Sequence, residues 1–153
     1  MNLNKLFSAL IVGIILVAMS PLVLVRVWPK INDVQTGGTP EYPDLQPQRF
    51  TGRTVDEIFD AALAVAEETG WEIREVDRGQ RTGTALIEAV ATVPVFRFRD
   101  DVTITITAEP PGPGIPAVVV NIRSRSRVGK SDLGENARRI RRFQAALAAK
   151  YPN

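Results

Sequence analysis

From Asp101 to Glu109, apolar Val102, Ile104 and Ile106 alternate with Thr103, Thr105 and Thr107. A period of two predicts a strand with one buried and one solvated face. The same period marks three other stretches. Trp71–Asp77 is short, with Trp71 and Ile73 on one face. Thr84–Val93 sets Ala85, Ile87, Ala89, Ala91 and Val93 together. Pro116–Arg127 sets Val118, Val120, Ile122, Ser124 and Ser126 on one face, with Val119, Asn121, Arg123, Arg125 and Arg127 on the other. Arg78–Gly83 and Pro110–Gly114 read as turns between strands.

Two stretches carry a helical period instead. Thr54-Val55-Asp56-Glu57 is a capping box, and Val55, Ile58, Phe59, Ala62, Leu63 and Ala66 then recur at helical spacing. Gly70 stops this helix, predicted over Thr54–Thr69. A second helix is predicted over Leu133–Lys150, with Asp132 as N-cap and Glu135 three residues on. Its core stripe is Leu133, Ala137, Ile140, Phe143 and Leu147, with Arg138, Arg139 and Arg142 on the outer side.

The order helix, four strands, helix, with short connections, favours antiparallel neighbours. The expected domain is α+β: an antiparallel four-stranded sheet with two helices packed on one face. Its other face is left to water, and carries Thr103, Thr105, Arg123, Arg125 and Glu88.

Ahead of this domain, Leu6–Val25 is uncharged and mostly apolar. Twenty residues at about 1.5 Å each match a hydrocarbon core of about 30 Å. The reading is a single N-terminal transmembrane helix within residues 1–30, flanked by Lys5, Arg26, Trp28 and Lys30. A cleaved signal peptide fits less well, because the run is long and Ala18-Met19-Ser20 is a poor cleavage site. Flanking charges are nearly balanced across the run. The short leading tail favours a domain on the non-cytoplasmic side. Residues 31–48, with Gly37, Gly38, Pro40, Pro43 and Pro47, read as an extended linker, and residues 49–150 as the globular domain. This division predicts that Tyr42–Asn153 folds alone.

Charge changes the picture more than composition does. Net charge is +2, but Tyr42–Val120 carries −6 and Asn121–Asn153 carries +7. Folding the two segments together would neutralise much of this. Cysteine and histidine are absent. That removes thiol nucleophiles, thiolate or imidazole metal sites and the usual general base near neutral pH. No cofactor, metal or nucleic-acid partner is expected.

The candidate chemistry concentrates in Asn121–Phe143, where a strand gives way to a helix through a loop of small and polar residues. Arg123, Arg125, Arg127, Lys130, Ser131 and Asp132 form a candidate site for an anion or an acidic protein partner. Glu88, Asp100 and Asp101 are its candidate internal acidic partners. Gly129-Lys130-Ser131 imitates the end of a phosphate-binding loop, but Ser124 stands where the first glycine is needed. Asp100-Asp101 invites an acid/base reading, yet adjacent strand residues face opposite ways. A serine–lysine pair using Lys130 has no spacing to support it. Two functions remain. The first is a non-enzymatic membrane-anchored binding or scaffold module with an arginine-rich face, touching the lipid bilayer through residues 6–25. The second is a small hydrolase using Asp100 or Asp101.

Several strings carry a family resemblance: Trp71-Glu72-Ile73, Ile87-Glu88-Ala89, Phe96–Val102, and above all Arg123–Ile140, RSRSRVGKSDLGENARRI. They resemble the domain of unknown function 1499 family, and Tyr42-Pro43-Asp44-Leu45-Gln46-Pro47 is similar to one bacterial branch of it. The resemblance spans about Tyr42–Leu147. It implies domain limits and a membrane or envelope association, and brings no established activity with it.

Overall fold

The computed structural model describes residues 30–93 and 97–152. The apolar run Leu6–Val25 lies outside the described residues. Among those described, no helix is long and apolar enough to cross a membrane.

The described residues form six strands and two helices: β1 Asp33–Gln35, β2 Gln48–Thr51, α1 Val55–Glu68, β3 Glu72–Asp77, β4 Thr84–Thr92, β5 Arg99–Ala108, β6 Ala117–Ser126 and α2 Glu135–Ala149. All pairings are antiparallel. The sheet runs β1-β6-β5-β4-β3, with β2 also on β6. The sheet is antiparallel and carries two helices, and the four strands read from alternation are present as β3, β4, β5 and β6. The sheet is nevertheless six-stranded, not four-stranded, because the stretch expected to be a linker supplies β1 and the first residue of β2, and residues 49–51 at the start of the expected domain complete β2. β1 pairs Val34 with Ser124, and β2 pairs Phe50 with Val118, so both stitch onto the same edge of β6. Between them Leu45 is buried, and Gly37 N–H donates to the Leu45 carbonyl at 2.7 Å. Strands of three and four residues are too short to show a period, and their partner lies more than 65 positions along the chain.

One face of the sheet is covered. α1 lies over β3, β4 and β5, and α2 over β6 and β1. The core holds Ile58, Phe59, Ala62 and Val65 from α1, Ala137, Ile140, Phe143 and Leu147 from α2, and the inward residues Ile87, Val102, Ile104, Ile106, Val120 and Ile122. α1 begins with the expected capping box: Glu57 N–H donates to Thr54 Oγ1, and Thr54 N–H donates to Glu57. It ends in a Schellman motif. Gly70 takes φ +75°, its N–H donates to Glu67 O, and Trp71 N–H donates to Ala66 O. This turn lays Trp71 against Phe143, ring centroids 5.4 Å apart.

α2 begins differently from expectation. Its N-cap is Gly134 in the left-handed region, φ 76°, with no side-chain cap. Asp132 still serves the helix start, from two residues further back. Its Oδ1 accepts from Gly134 N–H at 2.9 Å and its Oδ2 from Asn136 N–H at 2.7 Å. Leu133, assigned to the core stripe by spacing, precedes the first helical turn and is exposed.

Candidate functional site

The alternation of β6 sets Arg123, Arg125 and Arg127 on the uncovered face of the sheet. Arg123 grips both carboxylate oxygens of Asp33 across the β1–β6 pair, Nε to Oδ1 at 2.8 Å. This hydrogen bonding holds Asp33 below the usual carboxylate range and Arg123 above its ordinary value. Arg127 donates from Nε and a terminal nitrogen to Asp101 Oδ1, at 2.9 and 2.5 Å. Arg125 stands between them, exposed, with Asp33 and Asp101 as its cross-strand neighbours. It forms no ion pair among the described residues. Glu88 lies two strands away on the same face, opposite Thr103, and also has no ion pair among the described residues. Thr103, Thr105 and Asn121, with Gln35, Thr36 and Arg123, line a shallow cleft of about 300 Å³ on this face.

The remaining candidates do not join this group. Lys130 and Ser131 lie in the loop after β6, with Ser131 Oγ accepting from Leu133 N–H at 3.4 Å. The loop and helix start present little free backbone to an anion. Asp132 takes the N–H groups of Gly134 and Asn136 with its carboxylate, and that of Glu135 with its carbonyl at 3.1 Å. A chain carboxylate thus occupies the place an external anion would take.

Asp100 and Asp101 point to opposite faces, as a regular strand requires. Asp101 is exposed on the open face. Asp100 is 1% exposed beneath α2 and bonds Arg139, whose terminal nitrogen sits 2.7 Å from Asp100 Oδ2. Arg139 is 5% exposed, so its expected place on the outer side of the helix is corrected. Its other terminal nitrogen donates to Ser124 Oγ at 2.8 Å and Asn136 Oδ1 at 2.6 Å. Ser124 Oγ donates to Asn136 Oδ1 at 2.7 Å. Asn136 Nδ2 donates to Ser126 Oγ and to the Asn32 carbonyl, at 3.0 and 3.1 Å. One network therefore ties β5, β6, α2 and the chain leading into β1.

Sequence reading missed this network, although a signal was present. Asn136, Arg139 and Phe143 are spaced three and four apart, the spacing of one helix face. Ser124 and Ser126 already fell on the apolar side of β6 by alternation. Beside Arg139, a cleft of about 260 Å³ is lined by Thr69, Trp71, Thr92, Glu135, Arg142 and Phe143.

The segregated charges of the sequence meet in space. Besides Arg139–Asp100 and Arg127–Asp101, Arg141 pairs with Asp44 at 2.7 Å and Lys150 with Glu68 at 2.6 Å. Arg99 bridges to Glu72, which also takes Arg74 at 2.9 Å. A search of curated proteins finds no match. The strings that build β4, β5, β6 and the start of α2 are those that resemble the 1499 domain, and the sequence model for that family, protein of unknown function (DUF1499), matches residues 24–147. With most of its length matched, the chain belongs to the DUF1499 family.

Proposed function

We propose that this domain is a non-enzymatic binding or scaffold module whose open sheet face receives an acidic segment of a partner protein. The observation that carries the reading is Arg125. It is exposed and without an ion pair among the described residues, between two arginines whose carboxylates are already engaged. Asp33 commits both oxygens to Arg123, and Asp101 is bonded twice by Arg127. Arg125 therefore keeps its planar set of donors for a carboxylate from outside. Threonines and an asparagine beside it offer a flat hydrogen-bonding surface, which suits an extended chain better than a compact substrate. What speaks against hydrolysis is the burial of Asp100 against Arg139 and the exposure of Asp101 on the opposite face. A location at a membrane, on its non-cytoplasmic side, belongs to the same proposal. It is supported by the uncharged stretch Leu6–Val25 in the sequence.

The test titrates the full chain, held in detergent micelles, with a fluorescent polyglutamate peptide and with inorganic phosphate at low and physiological salt. The peptide is expected to bind at low salt, to weaken as salt rises, and to be lost in Arg125→Glu with the fold intact by circular dichroism. Lys150→Glu, far from the face, is expected to leave binding unchanged. Absence of peptide binding at low salt overturns the reading. So does unfolding of Arg125→Glu, because Arg125 would then be an internal partner of the acidic segment.

A further inference from the structure

Three of the most exposed large apolar side chains gather at one end of the domain. Phe98, Val128 and Leu133 are 48%, 61% and 45% exposed. The β5–β6 register pairs Asp100 with Ser126, and Arg127 N–H donates to Arg99 O at 3.4 Å. Phe98 immediately precedes β5 and Val128 follows the end of β6 by two residues, so both lie at this end of the β5–β6 pair. Leu133 belongs to the same loop as Val128, and its neighbour Asp132 donates a backbone N–H to Ile31 O at 3.2 Å.

The chain leading out of the apolar run arrives at this same end. Asn32 Nδ2 donates to Gly129 O at 2.5 Å, and Ser126 N–H donates to Asn32 O at 2.7 Å. Lys30, Arg97 and Lys130 are exposed here and form no ion pair with a described residue. Asp132, the acid within the loop, spends both oxygens on the start of α2. Arg97 and Leu133 are also the two non-glycine residues with left-handed φ, 54° and 52°, among the described residues. For Leu133 that backbone is unfavourable, and no place in the core cluster offsets it.

We infer that this end of the domain rests on the surface of an anionic bilayer. Phe98, Val128 and Leu133 enter the boundary between headgroups and acyl chains, and Lys30, Arg97 and Lys130 meet lipid phosphates. The bilayer is the occupant because of chain length. The uncharged run ends at Val25, five residues before Lys30. Five residues reach about 18 Å at most, so a bilayer that takes up that run brings its surface to these loops. Exposed apolar tips ringed by cations that pair with no described residue are what such a surface selects. This contact rests on the membrane location proposed above, but it uses the loop end and not the open sheet face, so its failure is distinguishable from failure of the acidic-partner reading.

The chain contains no cysteine, which permits a single-site probe in the full-length protein. Val128→Cys and, at the opposite end, Ile115→Cys, also an exposed position, are each labelled with a polarity-sensitive fluorophore. Both are reconstituted in phosphatidylcholine vesicles with and without phosphatidylglycerol. At position 128 the emission is expected to shift to the blue and to be quenched by lipids spin-labelled near the headgroup. Quenching is stronger with phosphatidylglycerol, and that excess disappears at high salt or in Arg97→Glu with Lys130→Glu. Leu133→Asp is expected to return the position-128 label to a water-like spectrum, while the label at 115 stays water-like throughout. The inference is overturned if positions 128 and 115 report the same environment, or if Leu133→Asp leaves the position-128 signal unchanged.

Discussion

Removing Arg139 should destabilise this domain more than removing any surface arginine, and its contacts set the size of the loss. Its guanidinium is buried and bonds Asp100, Ser124 and Asn136. In Arg139→Met, Asp100 remains buried with its counter-charge gone, and breaking a buried pair in this way costs about 3–5 kcal/mol. Against a total stability of about 5–15 kcal/mol, that moves the unfolding midpoint visibly. Asp100→Leu alone should cost a similar amount, since it strands the guanidinium instead. The double variant leaves no unpaired charge. Ser124 and Asn136 still bond each other, and Asn136 still donates to Ser126 and Asn32. It should therefore lose at least about 2 kcal/mol less than the two single losses combined. The assay is urea unfolding of residues 30–153 by circular dichroism, with all four members of the cycle measured at one pH and salt. Single losses below about 1 kcal/mol, or additivity within about 0.5 kcal/mol, would refute the claim that the pair is buried and coupled.

Two further outcomes follow from the same contacts. A fragment starting at Tyr42 lacks β1 and with it Val34, which is fully buried. It should be at least about 2 kcal/mol less stable than one starting at Lys30, and equal unfolding midpoints would show that β1 contributes nothing. Stability should also fall on acidification. Hydrogen bonds from Arg123, Arg141 and Arg49 hold Asp33, Asp44 and Glu109 below their ordinary values, and the Thr54 N–H does the same for Glu57. A carboxylate lowered by folding favours the fold above its unfolded value and loses that contribution as pH falls through the folded one. Thermal unfolding should thus be flat above about pH 5 and drop below about pH 4, with a smaller drop in Asp33→Asn; a midpoint that rises on acidification contradicts the pairing.

Where local pattern sets the answer, the sequence alone was sufficient. The alternation of Val102, Ile104 and Ile106 with threonines fixes the two faces of β5, since side chains on a strand must alternate. The same alternation sends Asp100 and Asp101 to opposite faces. The Thr54–Glu57 box and Gly70 fix both ends of α1 because each satisfies backbone groups within a few residues. The strings that resemble the DUF1499 family hold Asp100, Ser124, Ser126, Asn136 and Arg139. These residues build the interior, which is why they announce a fold and no reaction.

Tertiary structure decided everything that depends on what lies across from a residue. β1 and β2 exist because β6 offers unpaired backbone to a stretch of only three or four residues, and no local period can reveal a partner so far along the chain. Arg139 is charged and reads as solvated, yet Asp100, brought to it by β5, makes its burial tolerable. Arg123, Arg125 and Arg127 look equivalent in sequence. Asp33 and Asp101 both stand opposite Arg125 in register, yet their side chains pair with Arg123 and Arg127 and leave Arg125 with no ion pair among the described residues. Sequence spacing determines which face a side chain takes; only the assembled sheet determines whether its charge is already answered.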